Sequence, residues 1–503
     1  MKKITRRAFT VLLLAAAIIF GMTVFVLRYV DEGRDWALYF SRANAGAGGE
    51  LRDRNGVVLA SFDATKSAFS DDAETRVACY HVTGDYWNRT GTGALGAYWG
   101  DMQEYELLSG TTKKEPKQFT LTVDASLCRA AWNAIGYNRR GAAMLMNYKT
   151  GEVLAMVSLP SVDPINGEAK VADTAFINRC LSATFPPGSI FKLVTAAAAI
   201  EDVPDLFSRQ FLCEGEYTIG TVDIHCTGVH GYESVEQALA NSCNSAFAQI
   251  AVAAGYNSLY RHVRDYGFLD TLELDGLYAV PGNYRTEYAG NPELAWSGIG
   301  QSTDLITPFA MLRYVAAIAN DGMLATPRLI LSDEPAEETR LVAEGTAKKL
   351  KEMMSYNVTA HYDPQTNFPG LYGLCAKTGT AEVGSGEPHS WFTGFLDDAA
   401  HPYAFVVMIE HGGAGLISAA PAAAKILRAA IRSEERRLAA AVRTEDTDML
   451  AGVDREGQPV ENFFADLKGF FEVLYRNVDH SPFLVIPPPQ WPRAGSLPPP
   501  ARR

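Results

Sequence analysis

Three short motifs follow one another along the chain: Ser189-Ile-Phe-Lys192, Ser242-Cys-Asn244 and Lys377-Thr-Gly379-Thr380. Their residue types describe acyl transfer by a serine nucleophile with an amine base. A serine hydroxyl is a poor nucleophile until its proton is removed, and the i, i+3 spacing of Ser189 and Lys192 puts a base within reach on one helix face. Ser189 then falls in the first turn, where unpaired backbone N–H groups favour negative charge developing on its oxygen. Lys192 can take the proton only when neutral, which requires lowering a pKa near 10.4 by roughly 3 units, about 4 kcal/mol of differential interaction. Burial in an apolar helix and a second ammonium both act that way, and Lys377 is the natural second cation.

Ser242 and Asn244 alternate about Cys243, so an extended or looping backbone can aim both into one cleft. There a hydroxyl relays a proton to a leaving amine while an amide holds the lysine and a substrate carbonyl. Standing alone, the same pair reads equally as an N-cap and a turn. On a strand, Lys377 and Gly379 share one face and Thr378 and Thr380 the other. Gly379 lets another backbone approach closely, and the strand's free N–H and C=O groups can pair with an extended peptide. The N–H groups of Ser189 and Thr380 can then form an oxyanion hole.

Copies of these motifs elsewhere are set aside on context. Lys149-Thr150-Gly151 lies between two apolar runs, Ala142–Met146 and Glu152–Val157, as a hairpin turn. Ser355-Tyr356-Asn357 ends a lysine-rich helical stretch and reads as a turn or cap. Gly91-Thr-Gly-Ala-Leu-Gly96 has the GxGxxG form without an apolar strand leading into it, so it reads as a loop rather than a dinucleotide site.

The elements that must position the motifs are legible around them. Phe119–Val123 alternates as a strand and Asp124 caps the helix that follows. Pro186-Pro187-Gly188 leads into an alanine-rich helix from Ser189 to Ile200. Helices are expected around Val235–Ala254, Ser258–Tyr266, Pro308–Asn320 and Pro421–Val442, and an antiparallel sheet from Leu374–Glu382, Trp391–Leu396 and Ala404–Glu410. The expected fold class is α+β: an antiparallel sheet with packed helices plus a helical lobe.

At 503 residues the chain exceeds a typical single domain. Its net charge of -13 argues against nucleic-acid binding, which needs a basic surface. Lys2, Lys3, Arg6 and Arg7 precede an uncharged apolar stretch from Ala8 to Leu27, and twenty helical residues span roughly 30 Å, a bilayer core. Positive charges before the span and acidic residues after it orient the N-terminus to the cytoplasm. A cleaved signal peptide is the competing reading, but Ala43-Asn-Ala45 lies far downstream for its cleavage site. The divisions expected are 1–28 cytoplasmic stub and anchor, 29–117 membrane-proximal domain, 118–442 catalytic domain, and 443–503 linker, amphipathic helix (Phe463 to Leu474) and proline-rich tail.

The seven cysteines form no CxxC pair and no recognised metal spacing with histidine, so neither a metal nor a cofactor is expected. Cys213 and Cys226 flank a turn-rich stretch and read either as a disulfide or as two small buried thiols.

With these motifs the chain resembles the class B penicillin-binding proteins, monofunctional peptidoglycan D,D-transpeptidases. Arg52-Asp-Arg-Asn-Gly56 with Leu59-Ala60 resembles the family's membrane-proximal segment. Thr150–Ser158, Phe185–Ser189, Ile299-Gly-Gln301 with Thr307-Pro308, and Ser390-Trp-Phe392 resemble runs of its transpeptidase domain. The resemblance implies a serine β-lactamase-like transpeptidase fold with Ser189 as nucleophile and Lys192 as base. It implies Ser242 and Asn244 as proton relay and positioning groups, Lys377 as a further catalytic residue that with Thr378 and Thr380 binds the substrate carboxylate and acyl oxygen, and Gly379 as part of the same substrate-binding strand. The implied substrates are D-Ala-D-Ala stem peptides as donor and a stem-peptide amine as acceptor. β-Lactams are implied to acylate the same serine, and a polytopic membrane glycosyltransferase is the implied partner class. The implied location is the bacterial cytoplasmic membrane, single-pass, with the catalytic domain outside. Water as acceptor would give a D,D-carboxypeptidase or a β-lactamase instead, and loss of catalysis a β-lactam-binding scaffold or sensor.

Overall fold

The computed structural model describes residues 2–43, 49–62, 67–103, 105–106, 111–112, 117–165, 172–284 and 291–453. By internal contacts the chain divides into two units, Met1–Glu434 and Glu435–Arg503. All elements that position the three motifs lie in the first. In the second, helix continues to Val453; the amphipathic stripe and proline-rich tail lie outside the described residues.

Helix α1 (Lys2–Ala43) contains the apolar segment Arg6–Arg28, which has a mean hydropathy of 2.7 and no part buried against protein. Its 23 residues are enough to cross a bilayer. Beyond it, Gly49–Arg52 and Val58–Phe62 pair antiparallel around Asp53-Arg-Asn-Gly56. Asp53 fixes this turn by accepting from the N–H groups of Asn55 and Val57, and its other oxygen accepts from the Ala125 N–H. The strand Lys117–Thr120 pairs in parallel with Gly49–Arg52. The boundary expected at 117/118 therefore falls inside a shared sheet, because ladder hydrogen bonds rather than composition decide which segments belong together.

Asp124 caps helix α2 (Ala125–Ile135), accepting from Ser126 and Leu127. The central sheet is built from β1 (Gly141–Asn147), β2 (Val153–Leu159), β3 (Leu374–Ala381), β4 (His389–Leu396) and β5 (Tyr403–Ile409), in the spatial order β3-β4-β5-β1-β2. Every pairing is antiparallel. Nearly every residue of β1, β2, β4 and β5 is buried, so both faces of the sheet are covered, which explains why these strands read as continuous apolar runs rather than alternating ones.

The cover and the helical lobe come from α3 (Lys192–Asp202), α4 (Asn244–Ala254), α5 (Pro308–Ala319) and α6 (Glu344–His361). Helix α5 packs on β5, β4 and β1, and α6 on β3. Helix α3 contacts α4 and α6, which carries the sheet edge over to the lobe. Lys149 lies in the β1–β2 turn and donates to the Asn320 side chain at 2.6 Å, as a turn lysine would. β3 ends the sheet, so one of its edges has no strand partner.

Candidate active site

Ser189 stands in a 3₁₀ turn, Gly188–Phe191, that runs directly into α3. An α-helical first turn is expected from the sequence; the tighter turn eclipses residues i and i+3 and so stacks Ser189 over Lys192. The approach to the turn is fixed on three sides. The Trp391 indole donates to the Pro186 carbonyl at 3.0 Å and the Gly188 N–H donates to the Gly300 carbonyl at 2.9 Å. Gly188 has φ +54°, and a Cβ there would stand 2.6 Å from the Thr380 oxygen. Only glycine suits that position. The Ser189 side chain is half-buried, and its hydroxyl makes no hydrogen bond among the described residues.

Lys192 is fully buried. Its Nζ donates to the Ser242 carbonyl at 2.6 Å and the Asn244 Oδ1 at 2.7 Å, with the Ser242 hydroxyl at 3.4 Å. Burial pushes its pKa down to about 8, against a smaller opposing pull from Cys243, Cys226 and Glu233. Lys377 is also fully buried and donates to the Ser242 hydroxyl at 2.9 Å and the Thr378 carbonyl at 3.0 Å. Its pKa is lowered by burial first and by the Lys192 charge second. Two amines meeting at one hydroxyl away from water each disfavour a proton on the other.

The Ser242-Cys243-Asn244 segment interrupts what the sequence presents as a run of helix. Ser242 takes φ +53°, Cys243 is extended and Asn244 opens α4. That break lets Ser242 and Asn244 reach the same amine, while the Asn244 Nδ2 donates to the His225 carbonyl at 3.0 Å.

On β3 Lys377 and Gly379 are buried, Thr378 is half-buried and Thr380 exposed. The outward edge is partly occupied: Asn357 donates to the Ala376 carbonyl at 2.7 Å, and the Thr378 N–H donates to the Tyr362 hydroxyl at 2.8 Å. Strand periodicity points the N–H and C=O of Thr380 the same way, toward the Gly188 turn. The structure thus joins Lys192, Ser242, Asn244 and Lys377 in one hydrogen-bonded cluster, and sets the Pro187–Gly188 approach to Ser189 against Gly379 and Thr380 of β3, the strand that also carries Thr378.

Tyr362 and Asn357 were not legible as part of the site. Asn357 belongs to a motif copy set aside as a turn or cap; it is instead a buried residue of α6 that holds the β3 edge. Nothing in local sequence marks either residue, since their partners lie about a helix and a loop away. The cysteine reading also changes. Cys213, Cys226 and Cys243 are all unbonded, and their sulfurs lie with the His230 ring nitrogen within 4.8 Å of one another. The C-x₃-H spacing of Cys226 and His230 was the one sequence signal for this cluster; the other two ligands are too distant in sequence to complete a recognised pattern.

Chemically, the arrangement offers an unencumbered serine hydroxyl, a buried amine of lowered basicity and a second amine and hydroxyl for proton transfer. Beside them runs a sheet edge able to hold an extended acyl donor. Residues 141–428 match the family described as "Penicillin binding protein transpeptidase domain". The chain is 30% identical over 357 residues to the peptidoglycan D,D-transpeptidase PbpA of Mycolicibacterium smegmatis, covering 63% of this chain and 72% of that protein. Stage V sporulation protein D of Bacillus subtilis is 29% identical over 258 residues, 48% of this chain and 39% of that protein. Among solved structures, the D,D-transpeptidase domain of a peptidoglycan glycosyltransferase from Eggerthella lenta superposes with a TM-score of 0.65 at 25% identity, covering 77% of this chain and 99% of that one. The penicillin G acyl-enzyme complex of penicillin-binding protein A from M. tuberculosis gives a TM-score of 0.65 at 24% identity, over 77% and 100% of the two chains.

Proposed function

The chain belongs to the penicillin-binding protein transpeptidase family, and from that premise we propose that it cross-links peptidoglycan as a membrane-anchored D,D-transpeptidase acting through Ser189. The observation that carries this reading is the Ser242 hydroxyl held at 2.9 Å from the Lys377 Nζ and 3.4 Å from the Lys192 Nζ.

The Ser189 oxygen attacks the carbonyl carbon of the D-Ala-D-Ala amide and its proton passes to neutral Lys192. The N–H groups of Ser189 and Thr380 stabilise the oxyanion. As the C–N bond breaks, a proton returns to the leaving D-Ala amine through the Ser242 hydroxyl, fed by Lys192 and Lys377. An amine from a neighbouring stem peptide then attacks the serine ester and gives up a proton by the same route; the acyl C–O bond breaks, the Ser189 oxygen takes a proton back from Lys192, and the cross-linked product is released. Asn244 orients Lys192 and the donor's amide. Lys377, Thr378 and Thr380 receive the terminal carboxylate, with Gly379 permitting its close approach. A β-lactam acylates the same serine.

The apolar helix Arg6–Arg28 supports single-pass anchoring in the cytoplasmic membrane, with residues 1–5 inside and the catalytic domain outside. A polytopic membrane glycosyltransferase that supplies the glycan strand is the expected partner.

The test is incubation of the detergent-solubilised chain with a fluorescent penicillin, digestion to locate the adduct, and turnover of a D-Ala-D-Ala stem peptide with an amine acceptor. Label on the peptide containing Ser189, absent in Ser189→Ala, together with cross-linked dimer, is the expected result. Release of D-Ala without dimer would overturn the transpeptidase reading in favour of water as acceptor.

A further inference from the structure

We propose that Cys213, Cys226, His230 and Cys243 bind one Zn²⁺ ion that fixes the Ser242-Cys243-Asn244 loop. The four donor atoms lie within 4.8 Å of one another. The His230 Nδ1 is 3.5 Å from the Cys213 Sγ and 3.6 Å from the Cys226 Sγ, and the Cys226 and Cys243 sulfurs are 3.7 Å apart. Zinc bonds of about 2.3 Å to sulfur and about 2.0 Å to nitrogen, arranged tetrahedrally, give edges of about 3.8 Å between sulfurs and about 3.5 Å from sulfur to nitrogen. The three edges Cys213–His230, Cys226–His230 and Cys226–Cys243 match those of a zinc tetrahedron, and the remaining edges lie within 4.8 Å. A disulfide needs sulfurs about 2.05 Å apart, and pairing any two would leave a third thiol and the histidine unused. Three soft thiolates with one imidazole select zinc over magnesium or calcium.

The surroundings fit a metal centre. The N–H groups of Asn244 and Ala246 point at the sulfurs of Cys226 and Cys243, at 3.3 and 3.4 Å. Glu233 is 2% exposed, and its Oε2 has no hydrogen-bond partner. That oxygen lies 3.8 Å from the His230 Nδ1.

The four ligands come from segments with little core of their own. Cys213 ends the strand Phe211–Cys213, Cys226 follows the strand Val222–His225, and His230 precedes the strand Gly231–Glu233. Cys213 pairs directly with Gly231, which sets His230 beside it. Cys243 is the residue between Ser242 and Asn244. One ion therefore ties two small hairpin regions to the break before α4, and three thiol protons leave as it binds. The metal assignment stands on the geometry of these four residues; its consequence for acylation rests on the acyl-transfer reading above.

The experiment uses the solubilised full chain from zinc-supplemented cells. Elemental analysis is expected to find about one zinc per chain, in wild type and in Ser189→Ala alike, and much less in Cys226→Ser and His230→Ala. Stripping wild type with a chelator under reducing conditions should lower the melting temperature and slow fluorescent-penicillin labelling of Ser189 by about tenfold or more, with both restored by adding zinc alone. Sub-stoichiometric metal with no thermal shift on adding zinc to the reduced protein, or an intact mass showing a disulfide among these cysteines, would overturn the site. Stoichiometric zinc whose removal leaves the labelling rate unchanged would overturn its role in holding the loop.

Discussion

Lys192 and Lys377 converge on one hydroxyl, that of Ser242, from 3.4 and 2.9 Å. Both amines are fully buried, so each disfavours charge on the other, and the pair can pass a proton through the hydroxyl without either having to be a strong base. One lysine leaves through α3 and the other through β3. Their meeting point is therefore set by how the helical lobe packs on the sheet edge rather than by either motif.

The first expectation concerns pH. Burial lowers the Lys192 pKa to about 8, and only its neutral form accepts the Ser189 proton. The second-order rate of penicillin acylation should rise about tenfold per pH unit below that value and level off above it. The same depression bears on stability with a definite sign. Between pH 8 and 10.5 the unfolded chain holds a proton that folded Lys192 has lost, so this lysine's contribution becomes less favourable as pH falls through that window. Acylation rates measured from pH 5.5 to 9.5 check the profile. A flat profile would remove Lys192 as the titrating base.

Replacing Lys377 with methionine keeps most of its buried length and removes the amine that faces Ser242. Acylation should fall by roughly 10²–10⁴-fold, the range for loss of a proton-transfer group. The melting temperature should hold or rise, because a buried, desolvated amine has been exchanged for an apolar chain. Stopped-flow acylation with thermal melts separates the two effects, and a matched loss of stability would point to misfolding instead.

The motif residues were legible because acyl transfer demands few residue types at short spacings, and the spacings survive whether the first turn is α or 3₁₀. The central strands were legible as apolar runs, and Asp124 as a helix cap. What sequence alone did not yield depends on distance along the chain. Tyr362 reaches Thr378 and Asn357 reaches Ala376 only because α6 packs against β3. The pairing of Lys117–Thr120 with Gly49–Arg52 joins segments that composition separates. Cys213 and Cys243 come together only after two small hairpins have folded.

Gly188 offers a test of the turn that aims Ser189. Its φ is +54°, and a methyl group in place of its hydrogen would meet the Thr380 oxygen at 2.6 Å, which leaves no room for a side chain. Gly188→Ala should cost about 1–3 kcal/mol of stability from backbone strain and depress acylation further by shifting Ser189 from the β3 edge. Chemical denaturation and penicillin labelling check both. An unaltered labelling rate would mean that the turn is not what positions the nucleophile.

Tyr362 separates positioning from chemistry. Its buried hydroxyl is 2.8 Å from the Thr378 nitrogen and 2.9 Å from the Thr378 Oγ1, so it sets both the strand edge and the rotamer of a residue placed to meet the substrate carboxylate. Tyr362→Phe leaves the Thr378 N–H without that partner, a penalty of about 1–3 kcal/mol, while Ser189, Lys192 and Ser242 keep their contacts. The expected signature is a raised KM for a D-Ala-D-Ala donor with kcat less affected, because the carboxylate is held in ground state and transition state alike. A donor analogue lacking the terminal carboxylate should be processed by the variant and the parent at similar rates. An equal loss with both donors would mean that Tyr362 acts on the fold and not through Thr378.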